Sequence, residues 1–229
     1  MNDIKYVAFD ADDTLWVNEP YFRDTEDQYC ELLKEYGTPK EISEALFKTE
    51  MNNLALYGYG IKSFTLSMIE NALRVSEGKV PQEVISGILA LSKKMLNEKL
   101  VLLEGVAEVV ESLFGSYHLI VATKGDLLDQ ERKLKKSGLE KYFHHVEIMS
   151  EKKPEDYQKL LNHLDIKPSR FLMIGNSLKS DILPVLEIGG YGFHIPFHTT
   201  WQHEKNVDNL PDSEKFKELS TIKDVLDEL

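Results

Sequence analysis

Tyr6-Val7-Ala8-Phe9-Asp10-Ala11-Asp12-Asp13-Thr14 is an apolar run that ends abruptly in acids and a threonine. It reads as a short, buried parallel strand whose carboxyl end opens on a site. Further along the chain the same pattern returns. Apolar runs at 117–122, 146–149, 171–174 and 191–195 predict four more strands. Helical spacing predicts helices at 106–114, 127–136, 155–164 and 179–188, the second of them stopped by Gly138. Strand and helix in alternation predict an α/β fold, a Rossmann-like parallel sheet wrapped by helices.

Between the first strand and the second the rhythm changes. Phe22, Tyr29, Leu33 and Tyr36 recur at helical spacing up to Gly37. Thr38-Pro39-Lys40-Glu41 reads as a capping box with proline at the first helical position, opening a helix to about Tyr57. Further helices are expected at 63–74 and from Pro81. The predicted organisation is therefore a core of residues 1–16 and 101–229, interrupted by an all-helical, four-helix insertion at 17–100. The polar tail from Pro196 is the least readable part, with a helix expected near 222–229.

Composition bounds the chemistry. The chain has 229 residues, 42% hydrophobic and 29% charged, enough apolar material for a real core, and a net charge of −12. An acidic chain argues against nucleic acid or an anionic membrane as partner, because both need clustered Lys and Arg. An enzyme acting on anions would then have to gather positive charge at the site itself. Cys30 is the single cysteine, so no internal disulfide can form and a reducing, cytoplasmic environment is expected. Met1-Asn2-Asp3-Ile4-Lys5 has no signal-peptide layout, and no apolar run approaches the roughly 20 residues of a membrane span.

In an open parallel sheet, ligands bind at the carboxyl ends of the strands. Here those ends carry Asp10-Ala11-Asp12-Asp13-Thr14, Thr123-Lys124-Gly125-Asp126, and Gly175-Asn176-Ser177 with Asp181; Lys152 and Lys153 follow a fourth strand. In order, spacing and insertion point this set resembles the haloacid dehalogenase superfamily, from Tyr6 to Ile195. The first family motif, Asp-x-Asp-x-Thr after an apolar strand, is matched by Asp10, Asp12 and Thr14. Thr123 matches the second, a lysine the third, and Gly175 to Asp181 the fourth.

The resemblance implies a phosphohydrolase acting on a small phosphorylated metabolite, with the helical insertion as a cap, as monomer or homodimer. Asp10 would attack phosphorus to give an aspartyl-phosphate, splitting one hard step into two. Asp12 would protonate the leaving oxygen and later activate water. Mg²⁺ suits clustered carboxylates because it takes hard oxygen ligands. The resemblance assigns it Asp10, the Asp12 backbone carbonyl, Asn176 and Asp181. Thr14, Thr123, backbone N–H groups near Lys124, and a lysine would meet the phosphate, the lysine also neutralising the nucleophile. Lys152 is preferred over Lys153 in that role, because Pro154 reads as the first residue of a helix and makes Lys153 its cap.

Each residue also has a bland reading. Asp10 to Thr14 could be a polar turn or helix cap, Thr123 a strand-end hydroxyl, and Asp181 a first-turn helix acid. Asp13 is expected to be structural or solvent-facing, and Cys30 a buried structural residue. His194, His198 and His203 read as structural or surface residues, since Pro196 breaks any helical face that could converge them. The fourth motif departs from the family pattern, with Asn176 where an aspartate is usual. That departure keeps open a catalytically retired binding protein. Hydrolytic dehalogenation of 2-haloacids shares the aspartate nucleophile, but dehalogenases of the family lack the second aspartate, here Asp12. In the helical insertion, Lys62 beside Gly58 and Gly60 is a candidate to meet an anionic substrate group.

Overall fold

The computed structural model describes residues 3–199, 201–204 and 210–229. Met1 and Asn2, read above as part of the N-terminal segment, and 200 and 205–209, part of the polar tail, lie outside them. The described residues form a six-stranded parallel sheet in the order β3-β2-β1-β4-β5-β6. Its strands are β1 (Tyr6–Phe9), β2 (His118–Lys124), β3 (His145–Met149), β4 (Phe171–Gly175), β5 (Tyr191–His194) and β6 (Phe216–Glu218). The helices are α1 (Glu19–Leu32), α2 (Pro39–Tyr57), α3 (Ile61–Val75), α4 (Gln82–Asn97), α5 (Val106–Leu113), α6 (Leu127–Ser137), α7 (Pro154–His163), α8 (Leu183–Glu187) and α9 (Val225–Glu228). No described helix is long and apolar enough to cross a membrane.

The pleat alternates the strand residues between two layers. Val7, Phe9, Leu119, Val121, Leu172 and Ile174 pack with Val106, Val109 and Val110 of α5 and with Val225 of α9. Ala8, Ile120, Ala122, Phe171 and Met173 pack on the opposite face with Tyr157, Leu160 and Leu161 of α7. β1 lies between β2 and β4, in the middle of the sheet, where the order of connection reverses. Asp10 is therefore delivered to a crevice at the carboxyl ends of three strands.

The chain divides into two compact units: Met1–Glu19, Leu100–Lys124 and Glu131–Leu229 form one, Pro20–Lys99 and Gly125–Gln130 the other. The second holds α1 to α4 around Tyr29, Leu33, Ile42, Leu46, Met68 and Ile88. The capping box of α2 is formed as read: Glu41 Oε2 accepts the Thr38 N–H at 2.9 Å and Thr38 Oγ1 accepts the Glu41 N–H at 3.3 Å. Tyr29 Oη donates to the Met68 carbonyl and accepts from Asn71 Nδ2. Cys30 is buried here in no disulfide, its thiol donating to the Pro39 carbonyl at 3.6 Å. Lys62, the candidate substrate contact, is paired with Asp126 at 2.9 Å.

Several details differ from the sequence reading; the helix read up to Gly37, for one, ends at Leu32. β2 runs two residues further than expected because Thr123 and Lys124 pair with Ile148 and Met149 of β3. The single helix expected at 179–188 is instead a π-helical turn, Leu178–Ile182, followed by α8. Pro184 lacks the N–H that would continue a regular ladder, and the wider turn seats Asp181 inward. β6 was not anticipated. Three residues with only two half-buried side chains leave almost no periodic signal, and the strand exists because β5 offers it an edge.

Candidate active site

The turn after β1 is a tight reversal. The Ala11 carbonyl accepts the Leu15 N–H at 2.8 Å, and the Asp13 N–H donates to Trp16 O at 2.7 Å. Asp13 closes the reversal with φ 61°, a left-handed conformation that aspartate tolerates better than most residues. Its carboxylate accepts the N–H groups of Asn18 and Glu19 at 2.8 and 2.9 Å, at the start of α1. Burial pushes that carboxyl up to about 7 although the two amide bonds pull it down. Asp13 is thus structural and buried; the solvent-facing alternative does not hold.

Asp10 emerges at the centre of this frame, with its N–H bonded to Ile174 O at 2.9 Å. Lys152 Nζ lies 2.5 Å from Asp10 Oδ1 and 2.6 Å from Asp181 Oδ1, with all three side chains buried. Burial opposes the ammonium charge, but the two carboxylates outweigh it and hold Lys152 well above its usual range. Burial also raises the Asp10 carboxyl, to about 7, against the pull of Lys152. Lys153 by contrast is exposed at the cap position of α7.

Asp181 Oδ2 accepts the Ser177 N–H at 3.0 Å. Gly175 makes room for it: a Cβ there would lie 2.2 Å from Asp181 Oδ2. Asp181, expected among the metal ligands, thus has both carboxylate oxygens engaged, one by Lys152 and one by a backbone amide. Tyr157 Oη donates to Ser180 O at 3.1 Å and braces the π-helical turn from below.

On the other side of Asp10, Thr14 Oγ1 lies 3.3 Å from Asp10 Oδ2 and 3.3 Å from Asn176 Oδ1, and accepts the Asn176 N–H at 3.1 Å. His194, buried at the end of β5, contacts the Asn176 carbonyl at 3.1 Å and Glu218 at 3.0 Å. His203 lies against Trp201 with ring centroids 5.0 Å apart and planes tilted by 52°.

Asp12 is held by two donors on Oδ1: Trp16 Nε1 at 2.7 Å and Lys133 Nζ at 3.0 Å. Lys133 also donates to Asn18 Oδ1 at 2.8 Å. Thr123 is buried at the end of β2, where its hydroxyl donates to the Lys124 carbonyl. The Lys124 side chain turns to Ser180 Oγ at 3.0 Å and Glu204 Oε1 at 2.7 Å.

The donor set suits a hard cation. Asp10 Oδ2 and Asn176 Oδ1 converge on the Thr14 hydroxyl, away from Lys152, and the Asp12 carbonyl lies two residues on. No group of three His, Cys, Asp or Glu among the described residues could hold a metal ion. An amide oxygen and a backbone carbonyl are hard ligands as well, and Mg²⁺ keeps several waters rather than requiring an all-protein cage.

Sequence reasoning missed Trp16, Lys133 and Glu204. Trp16, four residues after Asp12, offered a weak local signal. Lys133 and Glu204 come from 121 and 80 positions away from their partners, so no spacing could point to them.

The family of haloacid dehalogenase-like hydrolases matches residues 4–189. A haloacid dehalogenase-like family hydrolase from Xanthomonas campestris, known by its crystal structure, is 36% identical, with a TM-score of 0.86 over 96% of this chain and 87% of its own. A glyceraldehyde 3-phosphate phosphatase from Pyrococcus furiosus is 26% identical over 82% of this chain and 79% of its own. A 2-haloacid dehalogenase from Pseudomonas syringae shares the fold, at 19% identity and a TM-score of 0.64 over 98% and 97% of the two chains. A central Asp10 at the switch point of a parallel sheet, a buried lysine beside it and a match over most of the chain lead to one assignment: this protein belongs to the haloacid dehalogenase-like hydrolase family.

Proposed function

We propose that the chain is a Mg²⁺-dependent phosphohydrolase of the cytoplasm that acts on a small soluble phosphomonoester through an aspartyl-phosphate. The observation that carries this reading is the buried Asp10–Lys152–Asp181 array, with a second aspartate, Asp12, two residues beyond the nucleophile. Residues 1–16 and 101–229 form the hydrolase core in this reading, and 17–100 its cap.

An oxygen of Asp10 attacks phosphorus as the ester P–O bond breaks, and Asp12 delivers a proton to the departing oxygen. Water then attacks the phosphorus of the aspartyl-phosphate and returns a proton to Asp12. The bond to Asp10 breaks and inorganic phosphate leaves. Lys152 balances the charge on Asp10 and on the phosphoryl oxygens, and Asp181 keeps it aimed. The Thr123 hydroxyl and the amides beside Lys124 take phosphoryl oxygens. Trp16 and Lys133 hold the orientation of Asp12. Asp10, the Asp12 carbonyl and Asn176 would hold Mg²⁺, which supplies positive charge against the phosphoryl oxygens.

The Pyrococcus phosphatase supports the phosphate reading. The dehalogenase likeness is one of fold, and a dehalogenase would leave Asp12 without a role. A retired binding protein would have no need of Lys152 aimed at Asp10. The test is a panel of small phosphomonoesters assayed with Mg²⁺ and with chelator. Turnover that chelator abolishes is expected; no turnover of any member at high enzyme concentration refutes the proposal.

A further inference from the structure

Glu204 enters the site from the segment after β5, beyond the last of the motifs. Its carboxylate takes Lys124 Nζ at 2.7 Å on Oε1, Ser177 Oγ at 2.5 Å on Oε2, and Ser180 Oγ at 3.0 and 2.8 Å on the two oxygens. Both members of the Lys124–Glu204 pair are nearly buried, with side-chain exposures of 14% and 11%. Burial would raise the Glu204 carboxyl, but Lys124 and these hydrogen bonds bring it down to about 2. The segment is further tied by Lys179 Nζ, which donates to His203 O at 3.0 Å.

Each of the three groups that Glu204 holds is one residue from a proposed site residue. Lys124 follows Thr123, Ser177 follows Asn176, and Ser180 precedes Asp181. Ser177 Oγ also accepts the Ser180 N–H at 3.0 Å and so opens the π-helical turn that presents Asp181 to Lys152. One buried carboxylate thus binds the end of β2 to the loop after β4.

We infer that Glu204 is a positioning residue. Its carboxylate, through Lys124 and the turn from Ser177 to Asp181, sets the distance between the phosphate-binding Thr123 and the Asp181–Lys152 pair. The inference rests on the phosphohydrolase reading above. A small misplacement of such groups costs turnover of the order of 10²-fold without abolishing binding.

The experiment compares wild type, Glu204→Gln, Lys124→Met and the double variant Lys124→Met/Glu204→Met on whichever phosphomonoester the wild type turns over. The double variant replaces a buried pair by apolar groups of similar volume, a change that need not destabilise the fold, so it remains testable if a single variant does not fold. The expected result is a kcat lowered about tenfold or more in Glu204→Gln, with KM within about threefold of wild type. Lys124→Met and the double variant should show the same loss, without multiplication. Wild-type kcat in Glu204→Gln or in the double variant overturns the inference, as does a kcat above wild type or a loss confined to KM. Absence of turnover in the wild type itself overturns the phosphohydrolase reading and the inference with it.

Discussion

Lys152→Met removes the ammonium that pairs with Asp10 and Asp181 at 2.5 and 2.6 Å in a buried site. Breaking a buried pair by deleting one partner costs about 3–5 kcal/mol, a large part of a typical stability of about 5–15 kcal/mol. The loss should also depend on pH. The Asp10 carboxyl stands at about 7 with Lys152 beside it. Without that opposing charge it must stand higher. A carboxyl raised in the folded state stabilises fully below its unfolded pKa of about 4, and the contribution is lost as pH rises through the folded value. In wild type that loss is complete a little above pH 7; in the variant it continues upward. The gap between the two proteins should therefore widen by about 1.4 kcal/mol per pH unit above 7. Urea unfolding followed by tryptophan fluorescence, in chelator at pH 6 and pH 8.5, measures this. A variant as stable as wild type, or a gap that is the same at both pH values, refutes the reasoning.

Asp10→Asn should abolish turnover, by at least about a thousandfold, with the fold kept because Lys152 retains Asp181; residual turnover near wild type would remove Asp10 as nucleophile. Asn176→Asp should tighten Mg²⁺ by roughly tenfold, because ligand charge sets affinity at such sites, and unchanged Mg²⁺ titrations would place Asn176 outside the ligand set. Burial pushes the Cys30 thiol up to about 11 from an ordinary 9.0. Two pH units mean about a hundredfold less thiolate, so the native protein should react with a disulfide reagent about a hundredfold more slowly than the urea-unfolded chain. Equal rates would show the thiol to be accessible and unperturbed.

The elements that were legible before folding are those whose signal is local. The apolar run before Asp10 and the capping box at Thr38 each fall within a few residues, and each forms where it was read. The end of β2 was misplaced because Thr123 and Lys124 become strand only through pairing with β3. The split at Leu178–Ile182 was signalled by Pro184 alone, which does not say which way Asp181 will face.

What the sequence determined by itself is five strands of the sheet, the place of Asp10 and Asp12 at the end of the first, and the family that this arrangement resembles. Local propensity and hydrophobic period carry the strands and helices along the chain, and the motifs at the strand ends carry the resemblance. What only the tertiary structure decided is which charges meet. Lys152 was preferred over Lys153 from the sequence, but that it lies buried between two carboxylates, Asp10 and Asp181, is set by the fold. The same holds for Lys133 at Asp12 and Glu204 at Lys124. Electrostatic partners are chosen by distance in space. Groups 80 or 121 positions apart reach 3 Å only after the sheet has brought its strand ends together.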